Sequence, residues 1–271
     1  MAKLVIGNDK TTGVPAVYRE VNKNKAGMVV DNFVGSITSG TLAEPTISSI
    51  TMSGVTVINT KALAYRFCGA TFETNATFSA PDVTEIKQSG MASTFDVFPW
   101  GGGLVSISMP NLETIDVDGC TSMCNSMSTL TSFDLSNLET VGEGGLYSAF
   151  SETAITSANL SKVETCGERA LSGTFSDCAG LASINLSALK SAGTRCFRSA
   201  FKNCALLTSI SFPALETVGT ECFGYSKSTL AFSGSGITEI HFPAAIQVTV
   251  EALYGYSSKF GATGATIYFD L

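Results

Sequence analysis

With 271 residues, 44% of them hydrophobic and only 14% charged, the chain can bury a large core but must build its polar surface from Ser, Thr, Asn and Gly. A net charge of −7 and a pI near 4.8 leave no electrostatic footprint for nucleic acid. No stretch approaches the ~18 apolar residues of a membrane span, and no Lys/Arg cluster suits an anionic membrane surface.

Residues 1–45 match nothing later in the chain. Leu4-Val-Ile6 and Met28-Val-Val30 read as short strands around the polar Thr11-Thr-Gly-Val-Pro15 turn. They form either an N-terminal cap or a small docking module. The opening apolar run is too short for a secretory signal. Two degraded repeat units follow, one from Ile47 and one containing Phe78, Pro81, Val83 and Ile86. Then comes Gly90–Gly103, a lengthened stretch holding Phe95, Phe98 and the one tryptophan, Trp100.

From Leu104 a pattern repeats. Units begin at Leu104, Leu130, Ile155, Leu181, Leu207 and, more weakly, Ile237, at intervals of 26, 25, 26, 26 and 30. Apolar residues fall at positions 1, 4 and 6 of each unit, as in Leu181/Ile184/Leu186. Positions 4 and 6 alternate with polar neighbours, which predicts a strand with one buried face. A second apolar pair follows at positions 9 and 12, such as Leu189/Ala192. Gly142, Gly167, Gly193 and Gly219 then lead a turn, where glycine is expected to supply a positive φ. Next come an apolar plug (Leu146, Leu171, Phe197, Phe223) and a further Phe (Phe150, Phe175, Phe201). A period of this kind means a solenoid, because no unit can bury its apolar face alone. Stacked strands lie about 4.8 Å apart, so some eight units make a body roughly 40 Å long. Beyond the array, residues 247–271 read as a C-terminal capping segment ending in the strand around Ile267–Phe269.

Eight cysteines suggest disulfides, but Cys178 and Cys204 occupy one repeat column and Cys196 and Cys222 another. Fixed columns predict reduced, buried packing residues. Cys120-Thr-Ser-Met-Cys124 lacks the second pair or nearby His that zinc needs, so no metal or other cofactor is expected. Position 10 carries Glu113, Glu139, Glu164, Lys190 and Glu216, whose like charges on adjacent coils predict exposure. The outward strand positions form two small polar columns. One is Ser106, Ser132, Ser157, Ser183, Ser209 and Glu239; the other is Ser108, Asp134, Asn159, Asn185, Ser211 and His241.

The segment Leu207-Thr-Ser-Ile-Ser-Phe-Pro213-Ala-Leu-Glu-Thr-Val-Gly219-Thr-Glu-Cys-Phe223 resembles the leucine-rich repeats of the BspA-like, or Treponema-type, family. The resemblance covers about residues 104–246. It implies a β-rich leucine-rich-repeat solenoid: a right-handed superhelix with one parallel sheet and short helical or irregular convex segments. Residues 46–246 form the array in this reading. Two departures stand out. The unit's Pro is kept only at 81, 110, 213 and 243, with Ser136, Ser161 and Ser187 between, and the units run long after the plug, which should enlarge the convex loops.

The resemblance implies adhesion or recognition rather than catalysis. His241 is the single histidine, and no Ser-His-Asp, Cys-His or metal motif surrounds it, so no catalytic residue is expected. Exposed aromatics in Gly/Ser-rich loops are the expected binding anchors: Phe95, Phe98 and Trp100 in one long unit, Tyr225 and Phe232 in the other (Gly224–Gly236), and Tyr254 and Tyr256 near the end. Arrays like this also occur in phage tail proteins. The absence of a leader and the non-repeat head favour a virion tail or fibre component. Its repeat body would bind a host surface protein or glycan, and its N-terminal segment other virion proteins. A bacterial surface adhesin and a purely structural virion subunit are the alternatives. A homo-oligomer suits a fibre, though no heptads support it.

Overall fold

The computed structural model describes residues 2–8, 15–20, 28–29, 47–52, 54–65, 67, 72–96, 103–226, 229–254 and 256–270. It is the solenoid that the period predicts, with parallel strands and little helix. Each coil contributes a short strand centred on position 4, and consecutive coils pair in parallel and in register. Phe133 lies opposite Ile107, Ile184 opposite Ala158, and Ile240 opposite both Ile210 and Ile267. The main sheet begins with Ala2–Asn8, which pairs in parallel with Ile47–Met52 and antiparallel with Pro15–Glu20. At the other end, Thr266–Phe269 pairs with Glu239–Phe242.

A single sheet was expected; the coils carry a second ladder. Position 12, read from sequence only as apolar, lies in a two-residue strand, and seven of these run unbroken from Val57–Ile58 to Thr217–Val218. The main sheet breaks into three sections, so the narrow ladder is the one that keeps the repeats in step. Its inward residues are Ile58, Ile86, Ile115, Val141, Cys166, Ala192 and Val218, all buried except the half-buried last.

The glycines after this ladder serve a different purpose from the one expected. The positive-φ glycines are Gly54, Gly144, Gly173, Gly224, Gly234 and Gly261, and Gly142, Gly167, Gly193 and Gly219 are not among them. What these four lack is room. A Cβ on Gly193 would lie 2.6 Å from the Gly167 carbonyl carbon and 2.8 Å from Glu168 N; on Gly219 it would lie 2.3 Å from Thr194 N. They form a column of backbone-on-backbone contact that sets the spacing of the coils.

The long segment after each glycine was expected to form enlarged loops; it is a regular ladder. A left-handed residue recurs every fourth position: Asp118, Ser122 and Ser126; Gly144, Ser148 and Glu152; Arg169, Gly173 and Asp177; Arg195, Ser199 and Asn203. These residues stop successive turns from closing into a helix. Alternate N–H groups therefore bond three residues back or cross to the next coil. Leu171 and Gly173 donate across to Cys196 O and Arg198 O, while Ser172 and Thr174 donate back to Arg169 O and Leu171 O. Ser and Asp tolerate this backbone through local hydrogen bonding, which explains their density here.

The core is a stack of rings along the solenoid axis. Phe133, Phe150, Phe175, Phe201 and Phe232 succeed one another at centroid separations of 4.5, 5.9, 6.1 and 5.7 Å, each pair within 14° of parallel. Phe197, Phe212, Phe223 and Phe242 join it at the C-terminal end. The seven described cysteines are free and buried in this core. Burial pushes the Cys120, Cys204 and Cys222 thiols up, away from the reactive thiolate.

Two of these cysteines do more than fill space. Cys178 Sγ donates to Phe150 O and Cys204 Sγ to Phe175 O, each at 3.0 Å. In the preceding coil Thr153 holds the same column and donates to Phe150 O at 2.8 Å. The column therefore selects a small donor for a buried carbonyl. Cys204→Ala is expected to cost about 1 kcal/mol, because Phe175 O then keeps only the bond from Cys178 N–H at 3.2 Å, and Cys204→Thr less, as read by urea unfolding under reducing conditions. Equal losses in the two variants would show that the thiol acts by packing alone.

Candidate contact surfaces

The outward face of the main sheet is held by its own turns. Ser132, Ser157, Ser183 and Ser209 are exposed along one column. In the other, Asp134 Oδ1 accepts from Ser136 N at 3.1 Å, Asn159 Oδ1 from Ser161 N at 3.2 Å, and Asn185 Oδ1 from Ser187 N at 3.0 Å. This accounts for the units that depart from the repeat's Pro. Where position 7 is Pro110 or Pro213 it has no N–H, and position 5 is Ser108 or Ser211. Where position 7 is Ser, its N–H needs an acceptor, and position 5 is Asp or Asn.

The exchange is testable. Asn159→Ala is expected to cost about 1 kcal/mol. The double change Asn159→Ser with Ser161→Pro, which copies the Pro-bearing coils, is expected to restore wild-type stability in thermal unfolding. A double variant no more stable than Asn159→Ala would break the proposed coupling.

The position-10 ladder is exposed throughout, and Lys190 pairs with Glu164 at 2.8 Å. His241, read as an ordinary polar face residue, is more engaged than that. It stacks on Tyr268 at 4.7 Å, with Nδ1 3.1 Å from Asp270 Oδ1 and Nε2 3.7 Å from Glu239 Oε2. These contacts fasten the last strand to its neighbour. Among the described residues no group of His, Cys, Asp and Glu is arranged to hold a metal ion. No described helix is long and apolar enough to cross a membrane.

The aromatics expected as anchors separate into three groups. Phe95 and Phe232 are fully buried, contrary to the expectation. Phe95 packs against Phe67 at 5.5 Å and Phe78 at 5.1 Å, and Phe232 extends the ring stack beyond Phe201. Core packing withdraws both from any surface. Phe98 and Trp100 lie outside the described residues, as do the side chains of Tyr254 and Tyr256, whose backbones lie in the helix Gln247–Tyr254 and the 3-10 segment Tyr256–Gly261.

Tyr225 is exposed, at 55%. The unit that holds it is longer by four residues, and this excess leaves the ladder just after Phe223. Register returns at Thr229 and Ala231, whose carbonyls accept from Ser199 and Phe201. Gly224 makes the departure possible at φ +96, where a Cβ would lie 2.0 Å from Thr229 O. Thr229 Oγ1 accepts from Tyr225 N at 3.3 Å and Ser226 N at 3.0 Å, which ties the bulge. Two guanidinium groups of the preceding coil lie over the Tyr225 ring, Arg195 at 5.4 Å and Arg198 at 5.5 Å. Arg195 Nε is also 2.6 Å from Glu221 Oε2. Sequence reading singled out Tyr225 but not the two arginines. The period could have found them, since one coil after 195 and 198 falls beside 221 and 225.

Six copies of the BspA type leucine rich repeat region match the chain over residues 96–230. Residues 96–230 are thus similar to BspA-type leucine-rich repeats. The matched residues take in the ladders from Leu104 onward and the Tyr225 bulge. Neither the curated proteins nor the solved structures contain a match to the chain. A BspA-type array points to protein interaction or adhesion, and proteins of this type are typically extracellular or held at the cell surface.

Proposed function

We propose that the protein is a non-catalytic recognition protein whose repeat body binds a host surface ligand, and in its finer form a phage tail or fibre component. One observation carries the recognition reading. The array is bonded coil to coil along two ladders and in sections along its main sheet, and the chain leaves that pattern at the bulge after Phe223 to expose an aromatic ring beside cationic groups. Solvent-facing Tyr and Arg on a rigid frame are the residues that anchor interfaces at low entropic cost. The virion form is supported by the order of the chain, a head that does not repeat followed by a uniform array. In that form residues 1–45 cap the sheet and face other virion proteins, and residues 247–271 close the far end. A bacterial surface adhesin is the second reading, favoured by where BspA-type proteins are typically found.

Two measurements test this. Fluorescently labelled protein should bind cells of candidate host strains saturably, and Tyr225→Ala should weaken that binding by roughly tenfold. No saturable binding across host panels would remove the recognition reading. Mass spectrometry of virions induced from a strain carrying the gene should detect the chain; its absence from purified particles would leave the adhesin.

A further inference from the structure

Beside the bulge lies a cation with no carboxylate partner among the described residues. Arg169 is ion-paired with Glu143 of the preceding coil at 2.9 Å, and Arg195 with Glu221 of the following coil. Arg198 has no carboxylate within ion-pair distance among the described residues, and its guanidinium lies 5.5 Å from the centre of the Tyr225 ring. In a chain with 23 acidic and 16 basic residues, an unpaired arginine beside an exposed ring runs against the general balance.

The ring limits the freedom of the guanidinium and leaves its N–H groups to donate. A planar fork held in this way suits a carboxylate, which it can engage by two parallel hydrogen bonds. The surroundings favour a peptide over a sugar as the source of that carboxylate. The nearby hydroxyls are already turned inward: Ser226 Oγ and Thr229 Oγ1 lie 3.0 Å apart, and Thr229 Oγ1 takes both bulge N–H groups. Among the described residues of the bulge, these two hydroxyls are thus engaged within the chain rather than aimed at the several hydroxyls of a saccharide. The net charge of −7 also disfavours a polyanion, so the site fits an isolated acidic side chain.

We propose that Arg198, held against Tyr225, receives the carboxylate of a single acidic side chain in an extended peptide segment of a protein partner. This rests on the recognition reading above and names the chemistry of its ligand.

The test uses the full chain and three probes: a leucine-rich dodecapeptide with one central glutamate, the same peptide with glutamine there, and trigalacturonate. Arginine Nε–Hε signals are followed by NMR at low salt. The glutamate peptide should shift the Arg198 signal, and the glutamine peptide should bind at least ~10-fold more weakly. Arg198→Gln should abolish that difference, Arg198→Lys should keep part of it, and Tyr225→Phe should keep most of it. Lys162→Gln, on another side of the array, should change nothing. Binding that ignores the glutamate or survives Arg198→Gln overturns the proposal, as does no binding of either peptide. Tighter binding of trigalacturonate overturns the peptide assignment in favour of an acidic glycan. Host-cell binding that persists unchanged in Arg198→Gln sinks this inference alone. Loss of wild-type cell binding while the peptide result holds sinks the host-surface reading alone.

Discussion

Gly193→Ala is expected to destabilise the protein by about 3 kcal/mol, although it adds a single methyl group to a surface turn. The added carbon would meet Gly167 C at 2.6 Å, Gly167 O at 2.7 Å and Glu168 N at 2.8 Å. All three atoms are backbone, so no rotamer change can clear them. The coils must separate, and separation lengthens the hydrogen bonds on either side, among them Gly193 N to Cys166 O at 2.8 Å and Arg195 N to Thr220 O at 3.0 Å. Gly180→Ala is the control, since its new carbon would meet atoms only at 3.7 and 3.8 Å. Urea unfolding should show a large loss for the first variant and almost none for the second. Equal, small effects would mean that the glycine column does not set the coil spacing.

Phe175→Ala is expected to cost about 3–5 kcal/mol, the range for emptying a fully buried aromatic site. The ring lies between Phe150 and Phe201 and also faces Phe133 at 6.0 Å, so its loss interrupts the stack in the middle of the array. The backbone around it is fixed by bonds to both neighbouring coils, which limits how far the cavity can collapse. Phe175→Leu should cost about 1.5 kcal/mol, because it keeps most of the volume but loses the ring contacts. In a repeat array the two halves can then unfold separately, so a biphasic transition is expected for the alanine variant. A single transition at the wild-type midpoint would contradict the assigned packing.

The parts of this fold that could be read in advance are those in which one residue type reports one environment. Leu, Ile and Phe at positions 1, 4 and 6 are apolar in nearly every coil, and burial is what they need. Cysteines separated by one period cannot all be bridge partners, which revealed them as core residues. What escaped reading depends on the neighbouring coil. Gly193 looks like any turn glycine until the backbone of Gly167 lies against it. Asn159 looks like a surface residue until Ser161 is seen to present an N–H where other coils have Pro. Arg198 looks like solvated charge until the following coil places Tyr225 over it. Phe232 was misread because the composition around it is that of a loop. The four added residues leave the stack before it, and the chain returns to register in time to place its ring on Phe201.

The array is a rigid frame from which one bulge departs, and native-state hydrogen exchange tests that most directly. Amides of Leu171, Gly173, Phe175, Phe197 and Phe201, which cross between coils after the glycine column, should exchange as slowly as those of the main sheet. Amides of Tyr225 and Ser226, which donate to the Thr229 hydroxyl and not across to the next coil among the described residues, should exchange orders of magnitude faster. Fast exchange throughout these segments, with no contrast at the bulge, would contradict a rigid frame.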